Sequence, residues 1–323
     1  MKLTKKVQQI LDYYDSDNPG TKRNLAQILM TGKLSGTGKI VILPVDQGFE
    51  HGPARSFAPN PDAYDPEYHV KLAIDAGLNA YAAPLGMLES IASKYAGSIP
   101  LILKVNSSNS LSREKEAPHQ AITGSVQDAL RLGCNAIGFT IYPGSDAQFD
   151  MIEEVKELSA EAKSYGLATV IWSYPRGGNL DKDGETAVDI VTYAAHIAAL
   201  IGAHIIKVKL PTDKLSLAEA KKSYLQNNIP INTLEERIAH IKQATFNGKR
   251  IVIFSGGASK GLDALYDEIR QIHNGGANGS IIGRNTFQRS RTDALKMLDK
   301  IIKIYLNKDT SKNITNKQIQ LKA

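Results

Sequence analysis

The chain has 323 residues, 42% hydrophobic and 22% charged, with a net charge of +6; this is enough apolar material for a large core and carries no bias toward disorder. Its basic residues form no single block. The densest run, residues 300–322, contains no aromatic platform apart from Tyr305, so no nucleic-acid partner is expected, and the positive excess suits an anionic small substrate. One cysteine, Cys134, leaves no disulfide framework or thiolate metal site; with no signal-like apolar core and no run of membrane-spanning length, a cytoplasmic location without membrane contact is expected.

Residues 1–38 are predicted to form a helical extension. Val7, Ile10, Leu11 and Tyr14 have helical spacing, Asp17-Asn-Pro-Gly20 breaks it, and a second helix covers residues 22–30. From residue 39 one unit repeats: a short apolar run, a loop with polar residues or glycine, then an amphipathic helix. Strands are predicted at 39–45, 80–83, 101–105, 136–141, 168–173, 202–210, 250–254 and 279–282. Helices are predicted at 66–76, 87–95, 121–132, 147–165, 187–201, 234–246, 262–274 and 287–306. Three helix-to-strand junctions resemble one another: Ala76-Gly-Leu-Asn-Ala80, Leu132-Gly-Cys-Asn-Ala136 and Ile201-Gly-Ala-His-Ile205. In each a glycine ends the helix as a left-handed cap, and Asn274-Gly-Gly-Ala-Asn-Gly279 is a looser version.

Eight strands and eight helices in strict alternation, with near-continuous apolar strands, point to an α/β fold, a (βα)8 TIM barrel over residues 39–306. Residues 307–323 follow as a basic tail. An open doubly wound sheet would place a Gly-rich dinucleotide turn after its first strand. Here that strand runs into Val45-Asp-Gln-Gly-Phe-Glu-His51, and the barrel is the expected fold.

Barrel chemistry sits at the C-terminal ends of the strands. Strand one delivers Asp46, strand three Lys104 and Asn106, strand five Trp172 and Tyr174, and strand six Lys207 and Lys209. Residues two apart on a strand face the same way, roughly 6.5–7 Å apart. Two ammonium groups on one buried face are costly unless something uses them; the alternative is an edge strand whose lysines reach solvent. Strands seven and eight end in Ser255-Gly-Gly257 and Gly283-Arg-Asn285. Gly-rich turns that open helices cradle phosphate with backbone N–H groups, and Arg284 adds a bidentate partner. Either turn alone is also an ordinary tight turn.

A phosphate site, an inward lysine and a nearby tyrosine indicate imine chemistry on a phosphorylated ketose. A lysine must be neutral to attack a carbonyl, and its free pKa is about 10.4; burial and a second ammonium lower that value. The iminium then draws electrons from the adjacent C–C bond, and Tyr174 can carry the proton of the hydroxyl whose carbon becomes an aldehyde. Asp46 can orient hydroxyls, assist proton transfers at the imine, or pair with a lysine. The plainer alternatives are a Tyr174 packed on Pro175 and an Asp46 that caps a turn. Trp172 reads as a pocket wall. Zinc-assisted carbonyl polarisation is the chemical competitor, but the seven histidines form no close pair at ligand spacing; neither metal nor cofactor is expected.

Leu43-Pro-Val-Asp-Gln-Gly-Phe-Glu-His51, Trp172-Ser-Tyr-Pro-Arg-Gly-Gly178, Gly202-Ala-His-Ile-Ile-Lys207, Ser255-Gly-Gly257 and Gly283-Arg-Asn285 together resemble class I fructose-1,6-bisphosphate aldolase of the archaeal and bacterial type. This is a metal-independent branch distinct from the animal enzymes, and the resemblance covers roughly residues 32–306. It implies that Lys207 forms the imine, that Tyr174 is the general acid/base, and that Asp46 assists. It also implies that Trp172 lines the pocket, and that Ser255, Gly256, Gly257, Gly283 and Arg284 hold one phosphate. Lys209 is then the charge that keeps Lys207 partly neutral. Lys104, Lys209 and Arg55 are candidates for the second phosphate, with Asn106 beside the substrate. Members of the family assemble into large homo-oligomers, often decamers of stacked pentamers. The helical extension and the long segment 211–231 exceed what compact archaeal members carry; that segment is a candidate lid or oligomer contact. The alternatives are a related imine-forming aldolase or transaldolase for another phosphorylated ketose, and a sugar-phosphate-binding barrel without catalysis.

Overall fold

The computed structural model describes residues 2–112, 117–256 and 261–309. Eight parallel strands close into a barrel in sequential order: β1 (Ile40–Pro44), β2 (Ala80–Pro84), β3 (Leu101–Lys104), β4 (Ala136–Ile141), β5 (Ala168–Ser173), β6 (Ile205–Val208), β7 (Ile251–Ser255) and β8 (Gly279–Ile281). The ring closes where β1 pairs with β8 on one side and β2 on the other, Ile40 opposite Gly279 and Ile42 opposite Ala80. Gly279 is required there, because a side chain at that position would begin 1.8 Å from the Ile40 carbonyl oxygen.

Strand alternation divides the apolar residues into two cores. Val41, Leu43, Ile206, Val208, Val252 and Phe254 face the surrounding helices. Ile40, Ile42, Ala80, Ala82, Ala136, Ala168, Val170, Trp172, Ile205 and Ile253 face the barrel interior. Small residues dominate β2 and the starts of β4 and β5, and that space is taken by the single large side chain Trp172, which is 1% exposed. Each fully buried Leu, Ile or Val contributes about 1.5–3 kcal/mol.

The extension forms two helices, α1 (Lys5–Asp12) and α2 (Pro19–Leu29). Thr4 and Asn18 cap their N-termini by accepting from Val7 N and Thr21 N, and Pro19 opens α2 where its missing N–H costs nothing. The two helices close the N-terminal end of the barrel, with Val7, Ile10, Leu11, Tyr14 and Leu25 joining the interior core.

The repeated junctions explain how the extension is fixed. Gly77, Gly133 and Gly202 all adopt positive φ, and two residues later a polar side chain turns back toward the preceding strand. Asn79 accepts from Val41 N, Asn135 from Leu101 N, and His204 Nδ1 from Thr169 N. In the looser version Asn278 accepts from Val252 N. The outward sides of the first three grip the extension. Asn79 donates to the Ile28 and Thr31 carbonyls, Asn135 to the side chains of Asn24 and Gln27, and His204 Nε2 lies 3.0 Å from Asp17. Tyr14 donates to the His204 carbonyl and accepts from Ile251 N.

Three regions differ from the sequence expectation. The helix expected at 121–132 is shorter, Val126–Arg131, and begins at a Ser125/Asp128 capping box; Ala121–Ile122 instead pairs antiparallel with Asn106–Ser107. The loop after β1 contains two short helices, Gln47–His51 and Pro53–Phe57, too short for a periodic signal. Segment 211–231 holds a helix, Ala218–Gln226, in which only Tyr224 is buried. Arg237 ties the ends of that segment together through the Pro211 and Ile231 carbonyls. Among the described residues no helix is long and apolar enough to cross a membrane. Most of the expected basic tail lies outside the described residues.

Candidate active site

A cavity of about 380 Å³ opens at the C-terminal end of the barrel. Its lining brings Asp46, Lys104, Tyr174, Lys207, Lys209, Ser255, Gly256, Gly283 and Arg284 together from six strand ends, as expected from sequence. Gly257 lies outside the described residues. Arg55 is exposed on Pro53–Phe57 and does not line the cavity.

Lys207 projects inward from β6 opposite Trp172 of β5 and Ile253 of β7 and is 5% exposed. Burial brings its pKa down to about 8; the Asp46 and Glu50 carboxylates oppose the change, and the Lys104 and Arg284 cations reinforce it. On the order of a tenth of the amine is then neutral at pH 7, against roughly one part in a few thousand at the ordinary value. Lys209, the expected neighbouring charge, has a carboxylate partner of its own. It lies beyond the end of β6, and its ammonium bonds Glu185 at 2.8 Å, a carboxylate that also takes Lys182 at 2.7 Å.

The Tyr174 ring centre lies 5.2 Å from the Lys207 amine and 5.8 Å from that of Lys209. Burial, with Asp46 and Glu50, raises its pKa well above the ordinary phenol value despite Arg176. The resting group is therefore a phenol, available as a proton donor. Asp46 stands at the start of Gln47–His51 without a side-chain capping bond. Its carboxylate acts on Lys104, Tyr174 and Lys207 alike, so it belongs to the charge balance of the cavity rather than to a turn cap.

Two expected substrate contacts are buried and do not line the cavity. Trp172 packs against the two buried lysines: the Lys207 and Lys104 amines lie 5.4 and 5.8 Å from its ring centre. Asn106 is 1% exposed and spends its side chain on Lys104 and on the backbone of Thr140. At the phosphate-type end, Asn285 donates to the Gly256 carbonyl and joins the two loops. A side chain on Gly283 would begin 2.7 Å from Gln47 Nε2 and 3.0 Å from the Pro44 carbonyl oxygen; glycine permits this close approach to the β1 loop.

The cavity lining also contains groups not singled out from sequence: Glu50, His51, Tyr142 and Arg176. The Arg176 guanidinium stacks 4.7 Å from the Tyr142 ring centre and lies 3.8 Å from Glu50. Burial, followed by Arg284, Arg55 and Arg176, lowers the His51 pKa against the pull of Glu50. Glu50, His51 and Arg176 lie inside the motifs after β1 and β5, which was their only signal; their convergence depends on loop paths. Among the described residues no group of three or more His, Cys, Asp and Glu side chains is placed to hold a metal ion.

Residues 40–289 match the family described as DeoC/LacD family aldolase. A Thermoproteus tenax protein named fructose-bisphosphate aldolase class 1 is 38% identical over 260 residues, covering 80% of this chain and 86% of its own. A Chlamydia trachomatis protein named "Probable fructose-bisphosphate aldolase class 1" is 37% identical over 310 residues, covering 91% and 87%. An archaeal fructose-1,6-bisphosphate aldolase whose catalytic Lys is covalently bound to the carbinolamine intermediate superposes with a TM-score of 0.71 at 32% identity, covering 92% of this chain and 99% of that one. A Schiff base forming fructose-1,6-bisphosphate aldolase gives 0.70 at 34%, covering 83% and 95%. With a family match across most of the barrel and relatives aligned along nearly their whole length, the chain belongs to the DeoC/LacD aldolase family, within its class I fructose-bisphosphate aldolase branch of archaeal and bacterial type.

Proposed function

We propose that the protein is a class I fructose-bisphosphate aldolase, a lyase that reversibly cleaves fructose 1,6-bisphosphate to dihydroxyacetone phosphate and glyceraldehyde 3-phosphate through an imine on Lys207. The observation that carries this is the buried Lys207 amine, shifted toward neutrality, with the Tyr174 phenol 5.2 Å away measured at the ring centre. Neutral Lys207 adds to the C2 carbonyl to give a carbinolamine. Tyr174 gives its proton to the departing hydroxyl, water leaves, and an iminium and a phenolate result. The phenolate takes the C4 hydroxyl proton as the C3–C4 electron pair moves into the iminium, releasing the aldehyde and leaving an enamine. Tyr174 then returns that proton to C3, and water hydrolyses the imine to free dihydroxyacetone phosphate and the lysine.

Asp46 balances the iminium charge. Ser255, Gly256, Gly257, Gly283 and Arg284 take the phosphate nearer the imine, and the cationic rim with Lys209 takes the other. Trp172 packs against the two buried lysines and Asn106 holds Lys104. We place the reaction in the cytoplasm, where an unpaired Cys134 stays reduced, and we assign a homo-oligomer, a decamer on the family pattern. Exposed Tyr193, Leu200 and Leu225 supply apolar surface for such contacts. Initial rates on fructose 1,6-bisphosphate and on other ketose phosphates, with EDTA present, test the reading. Fructose 1,6-bisphosphate is expected to be cleaved with the highest kcat/KM and EDTA to have no effect. Loss of cleavage in EDTA, or faster turnover of another ketose phosphate, contradicts it.

A further inference from the structure

Lys104 is the second buried lysine of the cavity, 3% exposed, and the imine chemistry leaves it without a step. It ends β3, and its ammonium donates to both the backbone carbonyl and the side-chain Oδ1 of Asn106 two residues on. An ammonium has three donors, so this chelate uses two of them and fixes the direction of the group. Asn106 is itself immobilised. Its Nδ2 donates to the Thr140 carbonyl at 2.8 Å, and its Oδ1 accepts from Thr140 N at 2.7 Å. The amide thus spans the seam between β3 and β4 in the manner of one more ladder pair, although β3 has already ended. Below, the ring of Trp172 lies 5.8 Å from Lys104 and 5.4 Å from Lys207. Gly138 of β4 admits that ring, since a side chain there would begin 2.2 Å from its Cζ3.

We propose that Asn106 is a positioning residue: clamped to Thr140, it holds the Lys104 ammonium over Trp172 as the fixed positive charge beside the Lys207 nucleophile. This assigns to Lys104 the part expected of Lys209, whose ammonium is turned to Glu185, and it rests on Lys207 being the imine-forming amine. The other charges facing Lys207 are Asp46 and Glu50 from the β1 loop and Arg284 after β8, with the Tyr174 phenol from β5. The two carboxylates favour the charged amine, so Lys104 and Arg284 are needed to offset them. A neutral carboxamide suits the purpose. It accepts from the ammonium without cancelling its charge, as an aspartate at the same place would.

The pH profile of kcat/KM for fructose 1,6-bisphosphate cleavage tests this, because its acid limb reports the free enzyme's nucleophile. In Lys104→Met the limb moves to higher pH by about one unit, about tenfold slower at pH 7. Lys104→Arg keeps the limb near its original position, whatever happens to the plateau. In Asn106→Ala and Asn106→Asp the limb moves the same way as in Lys104→Met, although Lys104 is present. Limbs superposed on the parent enzyme, with only a uniform fall in rate, overturn the proposal. Thermal melting identifies any variant that does not fold; if Asn106→Ala fails, the contrast between Lys104→Met and Lys104→Arg decides. Failure of the parent enzyme to form an adduct on Lys207 with dihydroxyacetone phosphate and borohydride would contradict the functional reading itself, whereas an adduct with immobile limbs contradicts only the role of Asn106.

Discussion

A nucleophilic lysine needs a depressed pKa, and at Lys207 burial is the largest cause, with two cations offsetting two carboxylates. The protonated amine cannot attack, so activity is lost as pH falls through the folded-state pKa. Below about pH 8, kcat/KM is expected to fall about tenfold per pH unit; an acid limb above pH 9.5 or absent altogether would contradict this. Tyr174 is raised well above its ordinary value and in the proposed mechanism serves as donor first and acceptor second. Tyr174→Phe is expected to lower cleavage by about 10²–10⁴-fold and to slow borohydride trapping, with the label still on Lys207 at long incubation. A Phe variant with near-normal cleavage would remove Tyr174 from the proton path. Gly138 makes a steric claim: Gly138→Ala places a methyl against the buried Trp172 indole and is expected to cost about 1–3 kcal/mol, measured by denaturant unfolding.

At the scale of elements, the strand-start side chains connect the barrel to its extension. Three of the four junction positions are asparagine and one is His204, so the imidazole does the work of an amide. Its Nδ1 accepts from Thr169 N, so Nε2 carries the proton and faces Asp17. Protonating Nδ1 would set two donors against each other, and burial holds the His204 pKa down although Asp17 pulls it up. A histidine kept neutral in the fold leaves stability level above its unfolded pKa, about 6.5. Below that the unfolded chain binds a proton the folded chain does not, and stability falls until the folded pKa is reached. His69, buried and lowered to about 4, adds a second such term. His204→Asn is expected to keep the strand cap and to reduce the loss of melting temperature between pH 6.5 and 5. An unchanged slope would show that His204 is not a source of that loss.

Across the whole molecule, the barrel was legible because its unit repeats: eight apolar runs, eight amphipathic helices and glycine-ended junctions point to one closure. Strands β4 and β5 and the helices Pro66–Ala76 and Leu262–Asn274 lie where their periodicity places them. Short pieces were not legible. Five-residue helices after β1 carry no period, and the helix Ala218–Gln226 buries only one side chain. In the site, residue identity and strand end were enough to gather Asp46, Lys104, Tyr174, Lys207 and Arg284. Alternation could not distinguish Lys207 from Lys209, because the difference lies in a partner, Glu185, carried by a distant loop. Trp172 and Asn106 are buried and outside the cavity lining, which alternation along one strand does not show, since depth in a barrel depends on stagger between strands.

The central claim is that the Lys207 amine bonds covalently to the substrate carbonyl. Incubation with dihydroxyacetone phosphate and borohydride, followed by peptide mass spectrometry, measures it directly. The expected result is one reduced adduct per chain on Lys207, lost in Lys207→Met. No adduct, or labelling confined to Lys209 or Lys104, would contradict it.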